Sequence, residues 1–295
     1  MATVFYDKAA VEVSFLGQRE KLLASDCSLS YSSPQTPLYA VGNKGPLGQF
    51  PAGARQGEVT FGFLTTMTGS YFGASGNILN SLASGIKSSM NSEVSGVKIS
   101  FAGVTGIGYL NSYSFGIQSN SVSSSNAGFT FFGEGNELPV TGFLADFAGG
   151  AIQTGKLATG IAHGRYTDLS NFATTLASDA SNKANVFSAD YSISFNHNPI
   201  YKVGQEFPAT ALYTSAQESL GLTEDIFQSG LKFDEDPKTY HLALKGLYQG
   251  SPGATPVAPP VGMEVFISGA KVVSTAMSAG MDDIVRTQTN LTSAY

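Results

Sequence analysis

Two stretches of this chain read alike, and their order constrains the fold more than any single motif. "SLSYSSPQTPLYAVG" (Ser28–Gly42) aligns with "SISFNHNPIYKVG" (Ser192–Gly204). Ser28, Leu29, Ser30 and Tyr31 fall on Ser192, Ile193, Ser194 and Phe195. After a two-residue length difference, Pro37, Leu38, Tyr39, Val41 and Gly42 fall on Pro199, Ile200, Tyr201, Val203 and Gly204. "FPA" follows in both, at Phe50–Ala52 and Phe207–Ala209, with five extra residues before it in the first copy. Further on, "GVKISFAG" (Gly96–Gly103) aligns with "GMEVFISG" (Gly262–Gly269). Four blocks in one order, at offsets of 164 to 166 for the first and last, predict a tandem duplication. The expected organisation is a first β domain over 1–133, a linker with a helix over 134–184, and a second β domain over 185–295.

Composition sets the class. Charged residues make up 13% of the 295, against about 25% in an average soluble domain. There are 34 glycines, 20 Phe, 13 Tyr and no Trp. Many glycine-marked turns with aromatic-rich segments between them predict a mainly β (α+β) fold, with two tandem β-sandwich or partial-barrel domains flanked by a helix or loops. Low charge also suggests surface covered by partners. The net charge of −6 argues against a nucleic-acid grip, which needs clustered Lys and Arg. Residues 1–184 carry 11 acidic and 10 basic side chains, whereas 185–295 carry 11 and 6. The lone Cys27 forms no intrachain disulfide and is expected to be small and buried. "MATVFYDKAA" lacks the basic and apolar regions of a signal peptide, and Val140–His163 is too interrupted to span a membrane.

Local patterns refine this. "VSFLGQREKLLASDCSLSYS" (Val13–Ser32) and "ISFAGVTGIGYLNSYSFGIQ" (Ile99–Gln118) each read as strand, turn near Gly17 or Gly103, and strand. Two such hairpins are expected to pack on each other as a sandwich or small barrel. In the first, Leu29 and Tyr31 point one way and Ser28 and Ser30 the other. A helix is predicted over "NILNSLASGIKSSM", where Ile78, Leu82, Ile86 and Met90 form one stripe and Asn77 caps the start. A second is predicted over "DLSNFATTLASDASNK", capped by Asp168, with Leu169, Phe172 and Leu176 on one face. "GSPGATPVAPP" reads as a loop, and "TYHLALKGL" as a strand after the acidic turn Phe233–Lys238.

Chemistry is sparse. "GNKGPLG" has a lysine but not the phosphate-loop spacing, and no GxSxG elbow exists. His163, His197 and His241 are far apart in sequence, in no metal-ligand pattern, and are expected in loops or at the surface. With few acids, bases or nucleophiles in catalytic patterns, a non-enzymatic role is expected, with no cofactor and no metal.

A hairpin such as "VEVSFLGQREKLLASDCSLSYS", a long Pro/Gly loop, the strand "GEVTFGFL", a helix and the hairpin "GVKISFAGVTGIGYLNSYSF" together resemble the bacteriophage tail-tube family, which includes related hub and neck rings. The resemblance covers about residues 11–133, and 185–295 more loosely. In the second stretch the helix lies elsewhere, and "VFSADYSISF" offers one strand where the family has a hairpin. In that family each domain is a β-sandwich with a flanking helix. Six domains form a ring whose inner sheets join around a DNA channel, and long loops and termini stack the rings.

The resemblance implies a virion structural protein assembled in the host cytoplasm. It would line a DNA channel as a tail-tube, hub or neck-ring subunit. Its partners would be copies of itself, in trimeric pseudo-hexameric or hexameric stacked rings, and other virion proteins. DNA would pass without specific binding, and no membrane is involved. A capsid-associated role is the neighbouring reading. A different class, a carbohydrate or cell-surface binding module, would use Tyr109, Tyr113 and Phe115 as a binding face.

The Pro34–Phe61 stretch is then an assembly loop. Its shared Pro-x-Tyr-x-Val-Gly part reads as strand-and-turn scaffold, and the extra "NKGPLGQ" as a contact arm. The candidate residues are Asn43, Lys44, Gly45, Pro46, Gly48, Phe50 and Arg55, with Lys44 and Arg55 facing acidic groups on a neighbour.

Overall fold

The computed structural model describes residues 11–15, 18–22, 24–32, 35–51, 56–67, 69–71, 74–101, 104–118, 123–133, 156–157, 165–168, 185–203, 207–225, 238–245, 261–278 and 286–295. In chain order its elements are β1 (Val11–Phe15), β2 (Gln18–Leu22), β3 (Ala24–Ser32), β4 (Gln35–Leu38), β5 (Gly48–Pro51), β6 (Gln56–Leu64), β7 (Thr66–Met67), β8 (Gly69–Tyr71) and β9 (Ala74–Gly76). Then come α1 (Ile78–Ser88), β10 (Glu93–Val94), β11 (Val97–Phe101), β12 (Val104–Gln118), β13 (Ser124–Gly133), β14 (Lys156–Leu157) and β15 (Arg165–Asp168). The last are β16 (Asn185–Ile200), β17 (Thr210–Asp225), β18 (Lys238–Lys245), β19 (Val261–Ser278) and β20 (Arg286–Ala294). The fold is mainly β, as the composition predicts.

Fourteen strands form one antiparallel sheet that does not close on itself among the described residues. It forks at β12. One edge of β12 carries β13 over Gly106–Gly116. The other edge carries β11 over Val104–Gly108, then β16 over Ser112–Gln118. Residues that pair with both β13 and one of the other two fix this two-sided arrangement. The first half of the sheet thus runs β3-β6-β13-β12-β11-β1-β2 and the second β16-β17-β20-β19-β18-β15.

These orders are the same order. Replacing β3, β6, β13, β12, β11 and β1 by β16, β17, β20, β19, β18 and β15 preserves both chain sequence and neighbours. The irregularities coincide too. One extra residue bulges at Asn111 in β12 and at Val273 in β19, 162 residues apart. Another bulges at Ser25 in β3 and at Phe187 in β16, again 162 apart. The sequence alignment at 164 is therefore slipped by two residues. A slip of two keeps every side chain on its own face, so the pattern survives it. The alignment of "GVKISFAG" with "GMEVFISG" is off by one strand: β11 occupies the place of β18, and the long β19 that of β12.

The opening stretch also differs from its expected hairpin. β1 pairs with β2, but β3 leaves and pairs with β6, setting Cys27 opposite Phe61 and Leu29 opposite Val59. β1 instead joins β11 edge to edge, Val11 opposite Phe101, so the two expected hairpins share a sheet rather than stack. Val11, Glu12 and Val13 are all buried, which suits a strand with a neighbour on each side. Arg165–Asp168, within the expected linker, is a strand paired with β18. The remainder of the predicted second helix, after Asp168, and the Gly250–Pro260 loop lie outside the described residues.

The helix α1 forms as predicted. The Asn77 side chain accepts from the Asn80 amide at 2.8 Å, and the buried Glu20 carboxylate accepts from the Ile78 amide at 2.7 Å. Both satisfy amides that a helix start leaves open, and the anion favours the dipole. Ile78, Leu82 and Ile86 are buried with Leu79 and Ala83 between them, a wider face than the four-residue stripe suggests. Within the first half Phe61 stacks on Phe129 at 5.6 Å, and the core continues into the second half where Phe115 of β12 meets Tyr191 of β16 at 5.0 Å.

Candidate assembly and channel surfaces

Alternation makes the sheet two-faced. Inward positions hold the aromatic core; outward ones hold small polar groups. Directly opposed residues share a face, so the outer face reads across strands as Ser28–Thr60, Ser114–Ser192, Ser192–Ser219 and Gly221–Asn290. Hydroxyls bond across it, Ser28 with Thr60 at 2.6 Å and Ser192 with Ser219 at 2.7 Å. The face forms a concavity of about 430 Å³ over β12, β13, β16, β17 and β20, with Ser, Thr, Asn and Gln side chains and Asp190 in its lining. Asp26 and Glu58 add acid towards β3, while Lys271 and Arg286 lie towards β19. No group of three or more His, Cys, Asp or Glu able to hold a metal occurs among the described residues.

The second surface is the predicted arm. β4 and β5 form their own two-stranded sheet, Thr36 opposite Phe50, separate from the main one. The tip is closed by the Asn43 amide donating to the Ala40 carbonyl at 3.2 Å and the Leu47 amide donating to Leu38 at 2.8 Å. Gly42 sits at φ 95°, a conformation that favours glycine. Asn43, Lys44, Gly45, Pro46 and Gly48 are all exposed, and Phe50 lies on β5. Arg55 lies outside the described residues. Leu38, Tyr39, Val41 and Leu47 are exposed on the same hairpin, Tyr39 to 70%. Their counterparts Tyr201 and Val203 are exposed as well. In both copies the shared block runs from a strand end into a turn, as expected, with its tyrosine and valine exposed; in the second copy Pro199 and Ile200 still pair with β17.

Tyr109, Tyr113 and Phe115 are buried in the core and form no exposed binding face. His197 is not on a loop. It lies half-buried on β16, with Nε2 2.6 Å from Asn111 Oδ1 and its ring 5.2 Å from that of Tyr213. Burial holds its pKa below the usual 6.5. His241 is on β18, and His163 lies outside the described residues. The Cys27 thiol, half-buried, is pushed up to about 12 by burial and by Asp26, so it is a thiol rather than a thiolate at neutral pH.

A buried polar cluster escaped the sequence patterns. Glu218 stands on the inward face of β17 between Ala216 and Leu220. Its carboxylate accepts from Lys87 at 2.9 Å, Tyr191 at 2.6 Å and Tyr295 at 2.8 Å. Lys87 also lies over the Tyr295 ring, 5.1 Å from its centre. Burial, then the Glu218 charge, pushes the Tyr295 phenol up to about 12 and raises that of Tyr191 well above its ordinary value. The visible signal was an acid at an apolar position of a period-2 run. The cluster ties α1 to the second half of the sheet, and its fully satisfied carboxylate points to structure rather than catalysis.

No protein-family model matches this chain, and no curated protein matches it.

Proposed function

We propose that this chain is a non-enzymatic structural subunit that assembles with copies of itself into stacked rings of the bacteriophage tail-tube kind. The polar sheet face lines a channel that passes DNA without gripping it. The observation that carries this is the sheet itself, in which the second half continues the first, strand to strand, through the same strand order. Such a unit adds further units by the same rule, and the recurring order supports two tube-like domains per chain. Three chains would then complete a pseudo-sixfold ring.

The outer face suits a conduit. Among the described residues, its hydroxyls and amides with few charges offer no cluster of Lys and Arg to neutralise phosphates. The projecting β4–β5 arm, with exposed apolar residues, suits contact with a neighbouring subunit or ring. The test is negative-stain electron microscopy of the purified chain, with rings or tubes expected. A strictly monomeric species at high concentration would overturn the proposal.

A further inference from the structure

β12 and β19 are equivalent strands, and so are β3 and β16, yet only one of the two possible junctions between them is filled. Inside the chain, Ser112–Gln118 of β12 pairs antiparallel with Ser188–Ser194 of β16, beyond the end of β11. The matching segment of β19 is Ser274–Ser278. β18 covers β19 only as far as Ala270. β20 lies on the opposite edge, because it runs past Thr292 to Tyr295 beside Ser268, alongside positions that β18 also occupies. The β18-side edge of Ser274–Ser278 therefore has no strand partner among the described residues. Nor does the Ser28–Ser32 edge of β3 opposite β6, the edge on which β16 carries β12.

The β8–β9 hairpin lies beside β19 but forms no ladder with it. Val273 and Met277 remain 60% and 49% exposed, although Phe115, the counterpart of Met277, is buried. Phe115 packs against Tyr191 of β16 at 5.0 Å, so a strand equivalent to β3 is part of what covers this position.

Resting on the ring reading above, we propose that β19 of one chain pairs with β3 of a second copy in the register of the internal junction. The 162-residue correspondence fixes that register as Ser274 opposite Ser32, Thr275 opposite Tyr31, Ala276 opposite Ser30, Met277 opposite Leu29 and Ser278 opposite Ser28. Each pair translates an observed one, from Ser112–Ser194 to Gly116–Asp190. Met277 then meets Leu29 on the apolar face as Phe115 meets Tyr191. The contact is head-to-tail, so it closes into a ring or propagates as a filament.

The test uses the full chain with Cys27→Ser. Ser30→Cys and Ala276→Cys proteins are mixed and oxidised, with light scattering recording assembly. A disulfide-linked dimer from the mixture, at least fivefold above either protein alone, is expected. Pairing Ala276→Cys with Ser32→Cys should give little, because diagonal neighbours stand about 7–8 Å apart, beyond disulfide reach. Ser30→Cys crosslinking with itself would overturn the head-to-tail arrangement in favour of β3 against β3. Assembled protein without the crosslink would overturn the edge assignment and leave the ring reading standing; protein that stays monomeric would overturn both. Independently, hydrogen exchange at residues 28–32 and 274–278 should slow at least tenfold on assembly, and unchanged rates in assembled protein would also sink the pairing.

Discussion

Lys87, in the last turn of α1, places its ammonium 2.9 Å from the buried Glu218 carboxylate on β17. A helix from one half of the chain is thus pinned to a strand of the other. Lys87→Met leaves Glu218 buried without a cation and should cost about 3 kcal/mol. Chemical denaturation measures it, and a loss below about 1 kcal/mol would mean that the two tyrosine hydroxyls suffice.

His197 gives the fold a pH dependence of known sign. Its folded pKa lies below 6.5, so below that pH the unfolded chain binds more protons than the folded one. Its contribution is fully present above about pH 6.5 and is lost as pH falls through the folded value. The stability difference between pH 7 and pH 5 should therefore shrink in His197→Gln. An identical difference in both proteins would place the acid sensitivity elsewhere.

Gly106 and Gly116 both lie on β12 but should respond differently to alanine. A Cβ on Gly106 would stand 2.5 Å from the Phe132 carbonyl oxygen, which is backbone and cannot swing aside. A Cβ on Gly116 would meet only the Asp190 side chain, at 2.9 Å. Gly106→Ala should cost about 1–3 kcal/mol and Gly116→Ala less than about 1. Thermal melts of the two variants compare them directly.

Removing Asn43–Gln49 should leave the melting temperature within a few degrees of the parent, since β4 and β5 lie outside the main sheet. Assembly should fall sharply, because the exposed Leu47 goes with the segment and the hairpin presenting Tyr39 and Val41 opens. Sedimentation velocity and electron microscopy provide the readout; undiminished ring or tube formation would rule out the arm as an assembly element.

Met277→Asp and Phe115→Asp occupy equivalent positions with opposite surroundings. The first places a charge on an exposed edge and should change monomer stability by no more than about 0.5 kcal/mol while abolishing assembly. The second buries an unpaired charge and should prevent folding. Circular dichroism and light scattering separate the two effects. A Met277→Asp protein that assembles normally would count against this edge as an interface.

The mainly β class, α1 with its Asn77 cap, the strands around "GEVTFGFL" and "TYHLALKGL", and the exposed arm tip were all legible from the residues. Each rests on local rules: period 2 for strands, a four-residue stripe for the helix, glycine where a turn needs positive φ. The repeat was visible for the same reason, since inward and outward positions recur. Strand partners were not legible. Nothing within Val13–Ser32 says that β3 leaves β1 for β6, because pairing is decided by residues far along the chain. A two-residue slip leaves every face unchanged, so the Ser28–Tyr31 block could not set the correspondence; the coincident bulges at Asn111 and Val273, and at Ser25 and Phe187, do, in agreement with the 162-residue spacing of Pro37 and Pro199. Tertiary structure alone also determined that Tyr109, Tyr113 and Phe115 face a core, that Glu218 finds three donors inside the protein, and which strand edges stay open. Side-chain alternation is written locally, but the choice of neighbour belongs to the whole sheet.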